Sequence, residues 1–156
     1  MIEKSREDLP TMLRYDTFYN KNSLYNTPPA FSIYVVGKVA QWIKSSGGLK
    51  VMAQRNQKKA QILYNIIDES DGFYKGHAQK DSRSLMNVTF RLPSEELEKK
   101  FVAEALEENI SGVKGHRLVG GMRASIYNAM PIEGVEVLAE FMKKFQRKNL
   151  NFTKGV

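Results

Sequence analysis

The sequence predicts an α+β fold: a small, mostly antiparallel sheet covered by helices and preceded by a bridging helical segment. Three observations carry that prediction. From Gly72 onward the hydrophobic period changes in the order strand, strand, helix, strand, strand, helix. The connections between the strands are too short for several parallel crossovers, which favours antiparallel pairing. Upstream, two long helical patterns flank Gly47-Gly48.

Residues 1–25 show no sustained period and read as loop or short strand pieces. In NTPPAFSIYVVGKVAQWIKSSGG, Thr27 is a good N-cap, Pro28 suits the first helical position and Gly47-Gly48 forms a stop, which predicts a helix over 28–45. Its apolar positions wrap most of the way round the axis, so it should be buried on several sides by protein beyond the short chain that follows. From Leu49, a stripe of Leu49, Met52, Asn56, Ala60, Leu63 and Ile67 predicts a long amphipathic helix ending before Ser70. A strand over 84–92 alternates Leu85, Asn87, Thr89 and Arg91 with Met86, Val88 and Phe90. Ser94 then caps a helix with Leu97, Phe101 and Ala105 on one face and Glu95 and Glu96 in its first turn. Strands over 110–114 and 122–127 follow, and a last helix from Pro131 buries Val135, Leu138, Met142 and Phe145.

Composition narrows the function classes. An apolar share of 42% and a charged share of 26% are those of a globular chain rather than a disordered one. The longest apolar candidate, 30–43, is interrupted by Lys38 and Gln41 and falls short of the ~18 residues a membrane span needs. The absence of cysteine excludes disulfides and thiolate metal sites, and MIEKSREDLP has no apolar signal core, so the expected location is the cytoplasm. A net charge of +7 raises a polyanion partner, but the basic residues are spread over the length. The one dense run, KKFQRKN at 143–149, lies where it complements a helix C-terminus. Phe73, Tyr64 and Tyr74 lie among lysines at positions that the periods assign to packing, so no nucleic-acid partner is expected. His77 is a lone loop histidine without a second ligand at metal spacing.

Two constellations carry chemical content. Asn26 and Thr27 precede a helix N-terminus, where unpaired N–H groups and the positive dipole end favour an anion; plain capping serves the same residues equally. GHRLVGGMRASIYNAM, residues 115–130, gathers His116, Arg117 and Arg123 around Gly120-Gly121. Arginine forks fit carboxylate and phosphate and histidine adds a donor, so the set suits a small dianion; a solvated basic strand edge is the alternative.

Together SLYNTPPAFSIY, WIKSSGGLKVM, RSLMNVTF and GHRLVGGMRASIYNAMPIEGV closely resemble the C-terminal part of the phosphoserine aminotransferase family, fold-type I enzymes dependent on pyridoxal 5′-phosphate, in order over 11–145. The resemblance implies transfer of an amino group from glutamate to 3-phosphohydroxypyruvate, in serine biosynthesis, by a homodimer whose active sites draw on both subunits. It implies that Asn26 and Thr27 reach the cofactor phosphate, that Arg123 holds the substrate α-carboxylate, and that His116 and Arg117 receive the substrate phosphate. Residues 1–47 would be the remnant of a large cofactor domain with its bridging helix, and 48–156 the C-terminal small domain. The family's Schiff-base lysine belongs to the N-terminal domain, and no lysine here matches its context. No catalytic residue is therefore carried over, and the chain is expected to be inactive alone and to bind the cofactor weakly or not at all. The competing expectation is a stand-alone, non-catalytic module that binds small anions or a protein.

Overall fold

The computed structural model describes residues 2–4, 6 and 8–150, so the outermost residues of both segments expected from the sequence lie outside the described ones. The chain divides into two compact units, Met1–Ser45 and Ser46–Val156.

In the first unit, the segment expected as loop or short strand forms 3₁₀ turns at Ile2–Lys4 and Thr11–Leu13 and a short helix α1, Tyr15–Tyr19. Arg14 makes a two-pronged contact to Asp16 at 3.1 and 2.6 Å, and the same carboxylate accepts the Thr17 N–H. Pairing within the segment therefore favours a helical turn over an extended strand. Helix α2 spans Ala30–Ser45. It starts later than predicted because the Pro29 carbonyl accepts the first helical bond, from the Ile33 N–H at 3.0 Å. Thr27 therefore lies ahead of the cap rather than at it. No residue of α2 is buried by the chain itself, whose expected cover lay in protein beyond it: Phe31, Ile33, Val36 and Trp42 are all exposed.

The second unit is the predicted α+β layer. Helix α3, Gly48–Asp68, is followed by strand β1, Lys75–Gly76, strand β2, Asn87–Arg91, helix α4, Glu95–Glu107, strand β3, Lys114–His116, strand β4, Gly120–Ser125, and helix α5, Ile132–Asn149. The four strands pair antiparallel throughout, in the order β1-β2-β4-β3. One sheet face carries Val88, Phe90, Met122 and Ala124 into the core, where Phe101, Phe141, Phe145, Phe73 and Tyr74 meet edge to face and tilted. Buried Tyr74 donates its hydroxyl to the Met142 carbonyl at 2.8 Å, and burial pushes that phenol far above its ordinary pKa.

The helical stripes largely match expectation: Leu97, Phe101 and Ala105 are the buried residues of α4, and Val135, Leu138, Met142 and Phe145 are buried in α5. Ser94 accepts the Leu97 N–H, as its capping role requires. Leu49 departs from the stripe and is exposed, whereas Lys59, not anticipated, is buried. The strand expected over 110–114 lies instead at Lys114–His116, because Gly112, with φ of +75°, breaks the extended run before it.

Candidate functional site

Strands β2 and β4 pair so that Thr89 faces Arg123 and Asn87 faces Ser125, opposite to the core side. Ser125 donates its hydroxyl to the Asn87 side-chain Oδ1 at 2.8 Å, and Asn87 Nδ2 donates to the Tyr127 hydroxyl at 2.9 Å. This polar ladder fixes the sheet beside Arg123. The half-buried Arg123 has its Nε enclosed without a hydrogen-bond partner, a donor that folding has desolvated and left unused.

Beyond Gly120-Gly121, the chain from His116 to Val119 makes a tight turn in which the Val119 N–H donates to the His116 carbonyl at 2.9 Å. The Leu118 N–H donates to His116 Nδ1 at 3.3 Å. A neutral ring that accepts at Nδ1 carries its proton on Nε2, leaving an outward donor. Gly115 is a place of close approach: a Cβ there would lie 2.1 Å from the Gly120 carbonyl oxygen, so only glycine lets β3 and β4 meet in this way.

A cavity of about 140 Å³ is lined by His77, Thr89, Arg91, His116 and Arg123, with no carboxylate in its wall. A wider, open cavity of about 560 Å³ adjoins the same hairpin and is lined by His116, Arg117, Arg91 and Lys114 together with Glu95 and Glu98. Of the three basic residues singled out from the sequence, His116 lines both cavities, Arg123 the smaller and Arg117 the larger. No acidic side chain pairs with any of the three among the described residues. Asn26 and Thr27 belong to the first unit, exposed just ahead of α2.

Sequence reasoning missed two basic residues here. Arg91 ends β2, with His77 on the adjacent segment just after β1, a placement that only strand pairing reveals. Lys59 was legible: it falls at three- and four-residue spacing with Asn56 and Leu63 on the buried side of α3. Its ammonium donates to the carbonyls of Ile126, Tyr127 and Met130 at 3.0, 2.7 and 3.0 Å. Burial pushes its pKa below the ordinary lysine value, and the three carbonyls hold the charged form in place. Asn56 donates to Asn128 at 2.7 Å, so α3 clamps the whole turn after β4. No cluster able to hold a metal ion exists among the described residues. Nor is any described helix long and apolar enough to cross a membrane.

The antiparallel sheet with its basic edge belongs to a known class of protein. Residues 6–138 match the family described as Aminotransferase class-V, and the chain belongs to that family. Within it, the chain matches phosphoserine aminotransferases: it is 61% identical over 150 residues to that of Desulfatibacillum aliphaticivorans, covering 96% of this chain and 41% of the relative. The solved phosphoserine aminotransferase of Bacillus circulans subsp. alkalophilus superposes with a TM-score of 0.84 at 56% identity, over 95% of this chain and 41% of that one. The PLP-bound phosphoserine aminotransferase of Trichomonas vaginalis gives 0.77 at 35% identity, over 88% and 39%. The chain thus spans about two fifths of the length of the curated relatives it matches.

Proposed function

We propose that this chain is the C-terminal portion of a phosphoserine aminotransferase, supplying substrate-anion and dimer contacts to an active site completed by protein outside it, and that it is inactive alone. One observation carries the proposal: Arg123 and His116 line an acid-free cavity, with the Arg123 Nε desolvated and unpaired. Such a donor is satisfied by a carboxylate that arrives with the substrate.

In this reading Arg123 binds the α-carboxylate shared by glutamate, phosphoserine and their 2-oxo acids. His116, through its Nε2–H, and Arg117 receive the phosphate of the phosphorylated partner. Their placement on two adjoining cavities suits a molecule with anionic groups at both ends. Asn26 and Thr27, exposed beside the start of α2, offer an amide and a hydroxyl to the phosphate of pyridoxal 5′-phosphate. When bound, that cofactor supplies the electron sink for bond breaking at the amino-acid α-carbon. Lys59 fits no role towards the cofactor, since all three of its donors are engaged by carbonyls. Residues 1–47 are then the remnant of the cofactor domain with its bridging helix, and 48–156 the small domain, in a cytoplasmic homodimer. The uncovered apolar surface of α2 supports this, because Phe31 at 79% and Val36 at 68% exposure need a cover from further protein.

The test is a paired measurement on the purified chain. Mixed with pyridoxal 5′-phosphate, glutamate and 3-phosphohydroxypyruvate, it should form no 2-oxoglutarate, yet it should bind phosphoserine weakly through Arg123. Turnover would contradict the incomplete-site reading, and phosphoserine binding unaffected by Arg123→Met would remove the site assignment.

A further inference from the structure

Arg91 ends β2 with its guanidinium against the hairpin that carries His116 and Arg117. Its Nη2 donates to the carbonyl of Val119, the last residue of the 116–119 turn. Its Nη1 lies 3.6 Å from the Glu98 carboxylate on α4, a side chain only 12% exposed. Val119 is therefore held on both sides: its N–H donates to the His116 carbonyl, and its own carbonyl accepts from Arg91. The glycine pair makes room for this contact. A Cβ on Gly120 would lie 3.2 Å from both Nη atoms, and one on Gly121 would lie 3.2 Å from the Arg91 Cγ and 2.9 Å from the Phe90 carbonyl oxygen. Both glycines also take positive φ, +76° and +71°, which side-chain-bearing residues rarely adopt.

From these contacts we infer that Arg91 is the positioning residue of the basic edge: anchored on Glu98, it grips the Val119 carbonyl and fixes the turn that presents His116 and Arg117. The inference rests on the anion-site reading of that edge for its purpose, though not for its geometry. Glu98 lies beside the Arg91 guanidinium and the Val119 carbonyl engages it, so Arg91 serves as a brace, and His116 and Arg117 remain the open donors. The brace also sets a chemical state. The Leu118 N–H reaches His116 Nδ1 only while the turn is closed, and that bond keeps the ring proton on Nε2. Losing the brace removes the tautomer preference along with the position.

The experiment uses the ¹⁵N-labelled 156-residue chain, with Arg91→Met, Arg91→Lys and Glu98→Gln as variants and phosphoserine as the probe. In Arg91→Met the Val119 amide should exchange about tenfold faster, the scale of one lost charge-assisted hydrogen bond. The His116 ring nitrogens should move from an Nε2–H pattern to a tautomer mixture, and phosphoserine affinity should fall about tenfold by the same measure. Unchanged exchange at Val88 and Ala124 certifies that the sheet persists. Arg91→Lys, which keeps the charge without the fork, should restore the turn only partly, and Glu98→Gln should shift both turn readouts in the same direction by less. Val119 exchange and a His116 pattern unchanged in Arg91→Met overturn the brace, and full restoration by lysine overturns the fork's grip. If the unmodified chain does not bind phosphoserine, the anion-site reading fails, while exchange and tautomer still decide the brace. If it binds, and Arg91→Met frees the turn without weakening it, the positioning role is overturned.

Discussion

Arg83 and Arg123 are both half-buried, and each has an enclosed Nε without a hydrogen-bond partner, yet their surroundings differ completely. Arg83 gives both Nη groups to Asp68, at 2.9 and 2.5 Å, and lies over the Tyr64 ring at 4.4 Å. Arg123, like His116 and Arg117, has no acidic partner among the described residues. Lys59 lies at the closed extreme, with three carbonyls round one ammonium. The contrast separates cations that hold the fold from cations kept for a ligand. Nearly identical chemistry is closed by the protein at one place and left open at another.

The closed side breaks hardest at Lys59. Lys59→Met strands three carbonyls round a buried side chain and should destabilise the chain by roughly 3 kcal/mol, read as a lower urea midpoint at constant slope. Arg83→Met follows at about 1 kcal/mol, since the pair is partly exposed and screened. The Arg83 guanidinium holds the Asp68 carboxyl down to about 2, below its ordinary 3.8. A depressed folded pKa contributes stability that is complete above the ordinary value and is lost as pH falls through about 2. Acid unfolding curves of Arg83→Met should be flatter than those of the unmodified chain over that window.

On the open side, the sign changes. Arg123→Met should cost less than about 0.5 kcal/mol, or stabilise slightly, because it removes a desolvated donor that nothing in the chain satisfies, while abolishing phosphoserine binding. Arg117→Ala, at an exposed turn, should leave thermal stability within about 0.5 kcal/mol and weaken phosphoserine while sparing serine. A large stability loss in Arg123→Met would place it with Arg83 and erase the distinction.

How much of this was legible in the sequence follows from the range of the forces involved. The stripe Leu97, Phe101, Ala105 and the Ser94 cap are set by neighbours three and four residues away, and both were readable. The alternation of Asn87 and Thr89 with Val88 and Phe90 likewise gave the two sheet faces. The β3 position was not, since a positive φ at Gly112 ends the extended run where the apolar pattern continues. The exposure of α2 was beyond composition, because an all-round apolar helix states that it needs cover without stating what covers it. In the site, residue types alone marked His116, Arg117 and Arg123. Their division between two cavities depends on pairing across 34 positions, from Thr89 to Arg123, and so does the arrival of Arg91.

The most direct measurement is a phosphoserine titration of the labelled chain, following the backbone amides and the arginine Nε–H signals together. An open basic edge predicts saturable shifts at His116, Gly120, Gly121 and the Arg123 Nε–H, with a Kd of order 1 mM, about −4 kcal/mol, and no response at Arg83. No saturable shift at the edge, or equal shifts at Arg83 and along 143–149, would show that phosphoserine finds only a diffuse basic surface, and would contradict the anion site.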